Sequence, residues 1–138
     1  MKSFFIDTNV ILDWLIPTNS SHIEATKLME LFFNDEAKGF VSSHSLTDIF
    51  YVLRKYFDSD DRRQFLLLLV TQFNIIPETY EDFYSVLNDN GFFDLEDGLQ
   101  MKCAVKEDVD YIITENLKDF KAADVTAINI DEALQIVY

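Results

Sequence analysis

The sequence predicts an α/β protein in which a central sheet of about five mostly parallel strands is flanked by helices. Short apolar segments alternate with longer segments whose apolar residues recur at helical spacing, as in strand–helix–strand units. The chain has 138 residues, of which 49% are hydrophobic, and only 3 Gly and 2 Pro leave little room for linkers. A chain of this length and composition can bury a substantial core. We therefore expect a single domain over residues 1–138.

The first predicted strand leads into Asp7. The apolar residues 4–6 precede this aspartate, and a short helix predicted over residues 10–16 follows it and ends at Pro17. In parallel sheets, ligands bind at the carboxyl ends of the strands, where helix N-termini also point. Asp7 is therefore either a site residue or only the cap of the following helix, because Asp is a preferred cap residue.

The second helix should begin near Ser20 or Ser21, whose hydroxyls can cap it, and should extend to about Lys38. Apolar side chains recur at helical spacing within this stretch and would face the sheet. Gly39 should end the helix, because glycine readily adopts the left-handed conformation found at many helix C-termini.

The second strand is predicted over residues 39–42, followed by a helix that begins at Ser43 or Ser45. Asp48 is expected in the first turn of this helix, where the helix dipole favours a carboxylate. The same position would also bring Asp48 near the carboxyl edge of the sheet. His44 lies beside it, but the spacing indicates no second metal ligand for this histidine.

Residues 58–61 form a charged turn, and an apolar helix should follow over about residues 62–73. The four consecutive leucines at positions 66–69 fit either the core or a self-association face. Residues 74–77 have the composition of a third strand. Thr79 should then cap another helix with an acidic first turn.

The segment 94–100 carries the densest acidic signal. Asp94 and Asp97 are three residues apart and would share one face of a helix. Both could instead simply occupy a helix N-terminus, where acidic residues are favoured. Gly98 is unfavourable inside a helix, so its missing side chain predicts close packing beneath the site.

The fourth strand, predicted over residues 110–114, also ends in polar side chains. Thr114 closes the strand, and Asn116 and Asp119 lie in the turn that follows. A fifth strand over about residues 126–130 and a short final helix complete the predicted α/β arrangement.

Acidic groups from separate segments should converge at one edge of this sheet, namely Asp7, Asp48, Asp97 and the 116–119 turn. Oxygen ligands without clustered His or Cys suit Mg²⁺ or Mn²⁺ rather than zinc. Carboxylates this close repel one another unless a cation lies between them. A divalent cation would also lower the pKa of a bound water and stabilise the charge that develops when a phosphodiester is cleaved.

The formal net charge is −14, from 11 Lys plus Arg and 25 Asp plus Glu. This charge opposes binding to a polyanion, although bound cations would locally invert the field at the acidic edge. The single cysteine, Cys103, excludes an internal disulfide and fits a small core residue. No apolar segment has the length of a membrane span or the features of a signal peptide. We therefore expect a cytoplasmic protein that does not associate with a membrane.

Four segments resemble, in the same order, the motifs of the PIN domain family. They are residues 5–13 around Asp7, the helix around Asp48 with residues 51–53, the acidic segment 94–100, and residues 111–120. Each motif is short, but together they span nearly the whole chain. The resemblance implies a single PIN-like domain and a Mg²⁺- or Mn²⁺-dependent ribonuclease, in many relatives the VapC-type toxin of a bacterial toxin–antitoxin pair.

The resemblance also implies residue roles. Asp7, Asp48, Asp97 and Asp119 would hold metal and support catalysis, although the family more often has Glu at the second position. Many relatives place Asp where Asn116 stands, so Asp119 is the expected anionic substitute. The expected supporting residues, among which the threonines would orient ligands or water, are Thr8, Asp94, Thr114 and Asn116.

The implied partners are an RNA substrate, a cognate antitoxin whose Arg or Lys could enter the acidic pocket, and a second copy of the chain in a homodimer formed through apolar helix faces. A catalytically weak binding or regulatory module is an alternative, favoured by the negative charge and by Asn116. A haloacid-dehalogenase-like phosphatase with Asp7 as nucleophile is a second alternative. Asn9 opposes it, because that chemistry requires a carboxylate at this position.

Overall fold

The computed structural model describes residues 1–91, 94–120 and 124–138. These residues contain a five-stranded sheet in which every neighbouring pair is parallel, with the order β3-β2-β1-β4-β5. The predicted α/β class and five-stranded sheet are confirmed, and the sheet is wholly rather than mostly parallel. The strands are β1 (Ser3–Ile6), β2 (Lys38–Ser42), β3 (Asn74–Ile76), β4 (Tyr111–Ile113) and β5 (Ala127–Ile128).

Helices connect the strands and cover both faces of the sheet. In the described parts of the chain they are α1 (Thr8–Leu15), α2 (His22–Phe33), α3 (Ser43–Val52), α4 (Ser59–Gln72), α5 (Tyr80–Leu87), α6 (Leu95–Lys106) and α7 (Ile130–Val137). A short 3-10 turn, Leu117–Phe120, follows β4. None of the helices described is long and apolar enough to cross a membrane.

The central strand β1 separates two hydrophobic clusters because successive side chains of a strand point to opposite faces. Phe4 and Ile6 lie in the larger cluster, which packs against α1, α2, α3, α4 and α7. Phe5 lies in the smaller cluster, where α6 contributes Met101 and the buried Cys103. Burial on both faces explains why the strand is apolar at consecutive positions rather than at alternate ones.

The end of α2 differs from the sequence prediction, since the helix stops at Phe33 and not near Lys38. Asp35 adopts a left-handed conformation with φ 58°. The Glu36 N–H donates to the Leu31 carbonyl over 2.8 Å, which completes a Schellman-type end. A non-glycine residue therefore ends this helix.

Gly39, predicted to end α2, lies inside β2. A side chain at this position would collide with the ring of Phe73. The glycine is therefore required for close packing of β2 against the end of α4, rather than for a turn.

The start of α4 also differs from the prediction. The helix begins at Ser59 because the Asp58 carboxylate accepts a hydrogen bond from the Asp61 N–H at 2.8 Å. Of the four leucines at positions 66–69, Leu69 is buried whereas Leu67 and Leu68 are exposed. The stretch thus contributes both to the core and to the surface.

Candidate active site

Asp7 follows β1 and lies between two hydrogen-bond donors from distant parts of the chain. Its side chain is 3% exposed. Gln100 Nε2 donates to Oδ1 at 3.0 Å, and the Thr114 hydroxyl donates to Oδ2 at 2.8 Å. Asp7 is the N-cap residue of α1, as one interpretation predicted, but its carboxylate makes no capping hydrogen bond of good geometry, so capping alone does not account for its contacts. Burial raises the pKa of Asp7, and the bonds from Thr114 and Gln100 oppose that rise.

Thr114 connects Asp7 to the turn after β4. Its fully buried hydroxyl donates to Asp7 and accepts a hydrogen bond from the backbone N–H of Asn116 at 3.0 Å. Asn116 therefore contributes its backbone to this connection, while its side chain belongs to an exposed residue. The hydroxyl predicted to orient site residues thus contacts the first predicted ligand directly.

Asp97 lies at the start of α6, where other carboxylates surround it. Burial, followed by the charges of Asp94, Asp7 and Asp119, raises the pKa of Asp97 to about 7. Asp119 contributes from the exposed 3-10 turn after β4. The charges of two other predicted ligands, Asp7 and Asp119, are therefore close enough to raise the pKa of Asp97.

The three-residue spacing predicted that Asp94 and Asp97 share one face of a helix, but Asp94 lies just before the helix. It is the N-cap of α6, and its Oδ1 accepts a hydrogen bond from the Asp97 N–H at 3.0 Å. Asp94 thus orders the first helical turn, which presents Asp97.

Gly98 lies in the next part of α6, packed against α5. A side chain there would collide with Val86, so the predicted close packing beneath the site is confirmed.

Asp48 was predicted in the first turn of its helix but lies in the second turn of α3. The helix begins at Ser43, so Asp48 lies beyond its first turn and on the same face as His44, four residues earlier. Burial and the charge of Glu96 raise the pKa of Asp48, and His44 opposes the rise. Ligand atoms of His44, Asp48 and Glu96 lie within 4.8 Å of one another.

Glu96 and His44 were missed as site residues by sequence reasoning. The charge of Glu96 contributes to the raised pKa of Asp7, Asp48 and Asp97. Glu96 is therefore near both Asp48 on α3 and the pair formed by Asp7 and Asp97. The signal in the sequence was the presence of Glu96 in the densest acidic segment, and the separation of four residues between His44 and Asp48. Neither indicated that α3 and α6 would meet.

His44 lies between two carboxylates. Its Nδ1 is 3.1 Å from Glu78 Oε1, and its Nε2 is 3.5 Å from Glu96 Oε1. Burial lowers the pKa of His44, but hydrogen bonding and the charges of Glu96 and Glu78 outweigh burial and raise it to about 9. In turn, His44 is the main cause of the lowered pKa of Glu96, to which the Thr8 hydroxyl also contributes.

Thr8 belongs to a buried chain of hydroxyl groups that joins the end of β1 to the start of α3. Its Oγ1 is 2.7 Å from Ser45 Oγ, which is 2.9 Å from Ser42 Oγ. All three residues are nearly inaccessible to solvent. These hydrogen-bonded hydroxyl groups therefore fix the position of the strand that precedes Asp7 relative to the helix that carries Asp48.

The donor atoms in this region fit a divalent cation. Burial, followed by the charges of neighbouring carboxylates, raises the pKa of Asp7, Asp48 and Asp97, so a cation among these groups would relieve repulsion. The fully buried Gln100 also has an amide oxygen with no hydrogen-bond partner among the residues described. Carboxylate and amide oxygens are the ligands that Mg²⁺ and Mn²⁺ prefer.

Among curated proteins, this chain is similar to Ribonuclease VapC1 from Aquifex aeolicus. The two are 27% identical over 135 residues, covering 95% of this chain and 92% of that protein. The similarity therefore extends over the whole arrangement described above.

Solved structures show the same fold. The toxin–antitoxin complex from Klebsiella pneumoniae has a TM-score of 0.68 and 21% identity, covering 91% of this chain and 96% of that chain. For VapBC-1 from nontypeable Haemophilus influenzae the TM-score is 0.67 and the identity 18%, with coverages of 94% and 98%. For Mycobacterium tuberculosis VapC20, a sarcin-ricin loop cleaving toxin, the TM-score is 0.64 and the identity 13%, covering 79% of this chain and 86% of that chain.

The family assignment comes from the sequence model of the PIN domain, which matches residues 3–118. The matched range includes every residue of the acidic region except Asp119, which follows it directly. The phosphatase alternative is not supported by this match. The chain is therefore a member of the PIN domain family.

Proposed function

We propose that this protein is a ribonuclease that depends on a divalent cation, Mg²⁺ or Mn²⁺, and that it is the toxin of a toxin–antitoxin pair. The observation that carries the proposal is the convergence of Asp7, Asp97 and Asp119 at the carboxyl edge of the parallel sheet of a PIN domain. The similarity to Ribonuclease VapC1 over 95% of the chain supports the same activity.

The acidic residues have distinct proposed roles. Asp7 and Asp97 hold the principal cation, while Asp48 and Asp119 assist it from the two sides of the site. A bound divalent cation would supply Lewis-acid activation of water and would stabilise negative charge at the scissile phosphodiester. No side-chain nucleophile is required.

The chain's other residues orient these ligands. Gln100 and Thr114 each donate to one oxygen of Asp7, so the carboxylate plane is set before any cation or RNA arrives. Asp94 orders the first turn of α6 and thereby positions Asp97. Preorganisation of this kind lowers the cost of assembling a reactive geometry.

RNA must approach a protein with a formal net charge of −14. A cation bound among the carboxylates would reverse the local field at the phosphate that is cut. The activity should therefore depend on the metal both for the chemistry and for substrate binding. The same charge supports a partner rich in Arg or Lys, as proposed for an antitoxin.

Exposed apolar side chains support macromolecular partners. Leu46, Phe50 and Leu66 line an open apolar surface between α3 and α4. The guanidinium groups of Arg54 and Arg62 lie over aromatic rings at its edge. We propose that helix faces of this kind serve association with the antitoxin and formation of a homodimer.

A second candidate function is a catalytically weak PIN-like binding or regulatory module. The neutral Asn116, at a position where the family resemblance implies Asp in many relatives, favours this function together with the net charge of −14. Such a module would bind its partner without metal-dependent cleavage of RNA.

The test is cleavage of a mixed, structured RNA pool by the purified protein with Mg²⁺ or Mn²⁺, compared with EDTA and with Asp97→Asn. Asp61→Asn is the matched control, because Asp61 occupies the same position in α4, with its N–H bonded to the cap Asp58, but is exposed. Cleavage that is lost with EDTA and in Asp97→Asn, but retained in Asp61→Asn, supports the proposal. Folded protein that does not cut under any metal condition supports the binding module.

A further inference from the structure

We propose that His44, Asp48 and Glu96 form a second cation position, which takes a first-row transition-metal ion through one imidazole nitrogen and two carboxylates. The inference deepens the proposed function and rests on it for the participation of Asp48. It adds a nitrogen ligand to a site whose other predicted ligands are oxygen atoms. The experiment that tests it measures metal binding rather than RNA cleavage.

The three ligand groups come together from two helices. His44 and Asp48 are one turn apart on α3, and Glu96 projects from the first turn of α6. Their ligand atoms lie within 4.8 Å of one another, and His44 Nε2 is 3.5 Å from Glu96 Oε1. Two ligands about 2.1 Å from one cation at a tetrahedral angle are separated by about 3.4 Å. The separation of His44 Nε2 and Glu96 Oε1 therefore suits two ligands of one ion, and Asp48 lies near enough to complete the set after a small side-chain adjustment.

The orientation of His44 is the observation that separates this cluster from a simple acidic surface. Glu78 Oε1 lies 3.1 Å from Nδ1 and also accepts hydrogen bonds from the His44 N–H at 3.2 Å and the Ser43 hydroxyl at 3.3 Å. The Glu78 side chain is only 6% exposed. Its carboxylate therefore anchors Nδ1 and directs Nε2 away from itself, towards Glu96.

The Nε2 atom has no hydrogen-bond partner of good geometry among the residues described, although it is buried. A metal-binding histidine commonly donates its other ring N–H to a carboxylate, which sets the tautomer and increases the basicity of the ligand nitrogen. The arrangement Glu78–His44–Nε2 has this form. With Nδ1–H donated to Glu78, Nε2 of the neutral imidazole would offer its lone pair to a cation, which would also neutralise Asp48 and Glu96.

The proposed ligand set predicts a preference among cations. Imidazole favours transition-metal ions over Mg²⁺, which binds oxygen ligands and retains its water. We therefore expect this position to bind Mn²⁺ in the presence of excess Mg²⁺. The oxygen-only group around Asp7 and Asp97 should discriminate less between the two ions.

The experiment is pulsed electron paramagnetic resonance of Mn²⁺ bound to the full chain, which detects coupling to a directly bound imidazole nitrogen. The chain contains only 2 His. Wild type and the control His22→Gln should both show the nitrogen coupling, and His44→Gln should not. Absence of nitrogen coupling in the wild type, or its persistence in His44→Gln, overturns the proposal.

A second pair of variants tests the geometry without removing the imidazole. Glu78→Gln should keep the nitrogen coupling but weaken Mn²⁺ binding by about tenfold or more, because the orienting carboxylate is lost. Glu96→Gln should weaken Mn²⁺ binding at the same position. Unchanged Mn²⁺ affinity in both variants contradicts the proposed coordination.

Failure of the proposed His44 cation site can be distinguished from failure of the proposed ribonuclease function. Asp97→Asn should abolish RNA cleavage while retaining the nitrogen coupling from His44. Nitrogen coupling in a wild-type protein that cuts no RNA supports this site and opposes the ribonuclease. Metal-dependent cleavage without nitrogen coupling supports the ribonuclease and opposes this site.

Discussion

The side-chain amide of Gln100 holds the carboxylate of Asp7 at 3.0 Å, although the two residues are 93 positions apart in the chain. The contact is buried and links the central strand β1 to α6. It joins the first predicted metal ligand to the helix that presents the third, Asp97. The rigidity of the proposed cation site therefore depends on a neutral side chain.

Replacement of Gln100 by Leu should weaken Mn²⁺ binding by about tenfold or more, as is typical when a residue that orients a metal ligand is lost. Folding stability should also fall, by about 1 to 3 kcal/mol, because the buried Asp7 Oδ1 loses its donor. Removal of the Gln100 amide oxygen, which has no described partner, should offset part of this loss. Isothermal titration with Mn²⁺ and thermal unfolding measure the two effects. Gln135→Leu, an exposed position on α7, is the control. Equal Mn²⁺ affinity in the two variants would contradict the orienting role.

In the absence of metal, Asp97→Asn should unfold at a higher temperature than wild type at pH 8. The pKa of Asp97 is about 7 in the folded protein and near 3.8 when unperturbed. A raised folded-state pKa means that ionisation opposes folding, so its stabilising contribution is present below about pH 4 and is lost as the pH rises through about 7. With allowance for solvent screening, the difference should be about 3 to 6 °C.

The measurement is the melting temperature of wild type, Asp97→Asn and Asp61→Asn from pH 4 to pH 8 in EDTA. The gap between wild type and Asp97→Asn should grow with pH, whereas Asp61→Asn should follow wild type. Added Mn²⁺ should then stabilise the wild type more than Asp97→Asn, because a ligand stabilises the state that binds it. A gap that is independent of pH would show that carboxylate repulsion is not its cause.

Thr114→Val should destabilise the protein by about 1 to 3 kcal/mol, because it removes a buried donor to Asp7 and the acceptor of the Asn116 N–H without changing the side-chain shape. Urea unfolding gives the free energy. Thr71→Val is the matched control, since Thr71 is an exposed residue whose hydroxyl bonds only within α4, and it should change the free energy by less than about 0.5 kcal/mol. Similar losses of unfolding free energy in Thr114→Val and Thr71→Val would indicate that the Thr114 hydroxyl contributes no stability.

Gly98→Ala should destabilise the protein by about 1 to 3 kcal/mol through overpacking, despite the higher helix propensity of alanine. The added methyl group would collide with Val86 on α5. The double variant Gly98→Ala with Val86→Ala should recover part of this loss, so the two effects should not be additive. Additive free energies of unfolding would show that the predicted collision does not occur.

Local signals identified much of the architecture. Consecutive apolar residues predicted β1 and placed Asp7 directly after it, because a central parallel strand is buried on both faces. Thr79 was recognised as the cap of α5, where it forms a reciprocal pair of hydrogen bonds with Asp82. Such features depend on neighbouring residues and can be read without knowledge of the fold.

Boundaries that depend on less common conformations were harder to predict. The sequence predicts that α2 ends at Gly39, but Asp35 adopts the left-handed conformation and ends the helix earlier. Asp58 caps α4, which therefore begins at Ser59 and not near residue 62. Several residues in each segment could serve as a cap or a stop, and the choice between them depends on packing around the segment.

The sequence by itself determined the α/β class and placed Asp7 directly after β1 and Asp119 in the turn after β4, because the alternation of apolar segments with polar turns is a local property. Tertiary structure decided which groups surround these acids. His44 and Glu96 are 52 positions apart, and they approach to 3.5 Å although α3 and α6 pack against different hydrophobic clusters, on opposite faces of the sheet. How the starts of two such helices align depends on packing throughout the core, which no local pattern specifies.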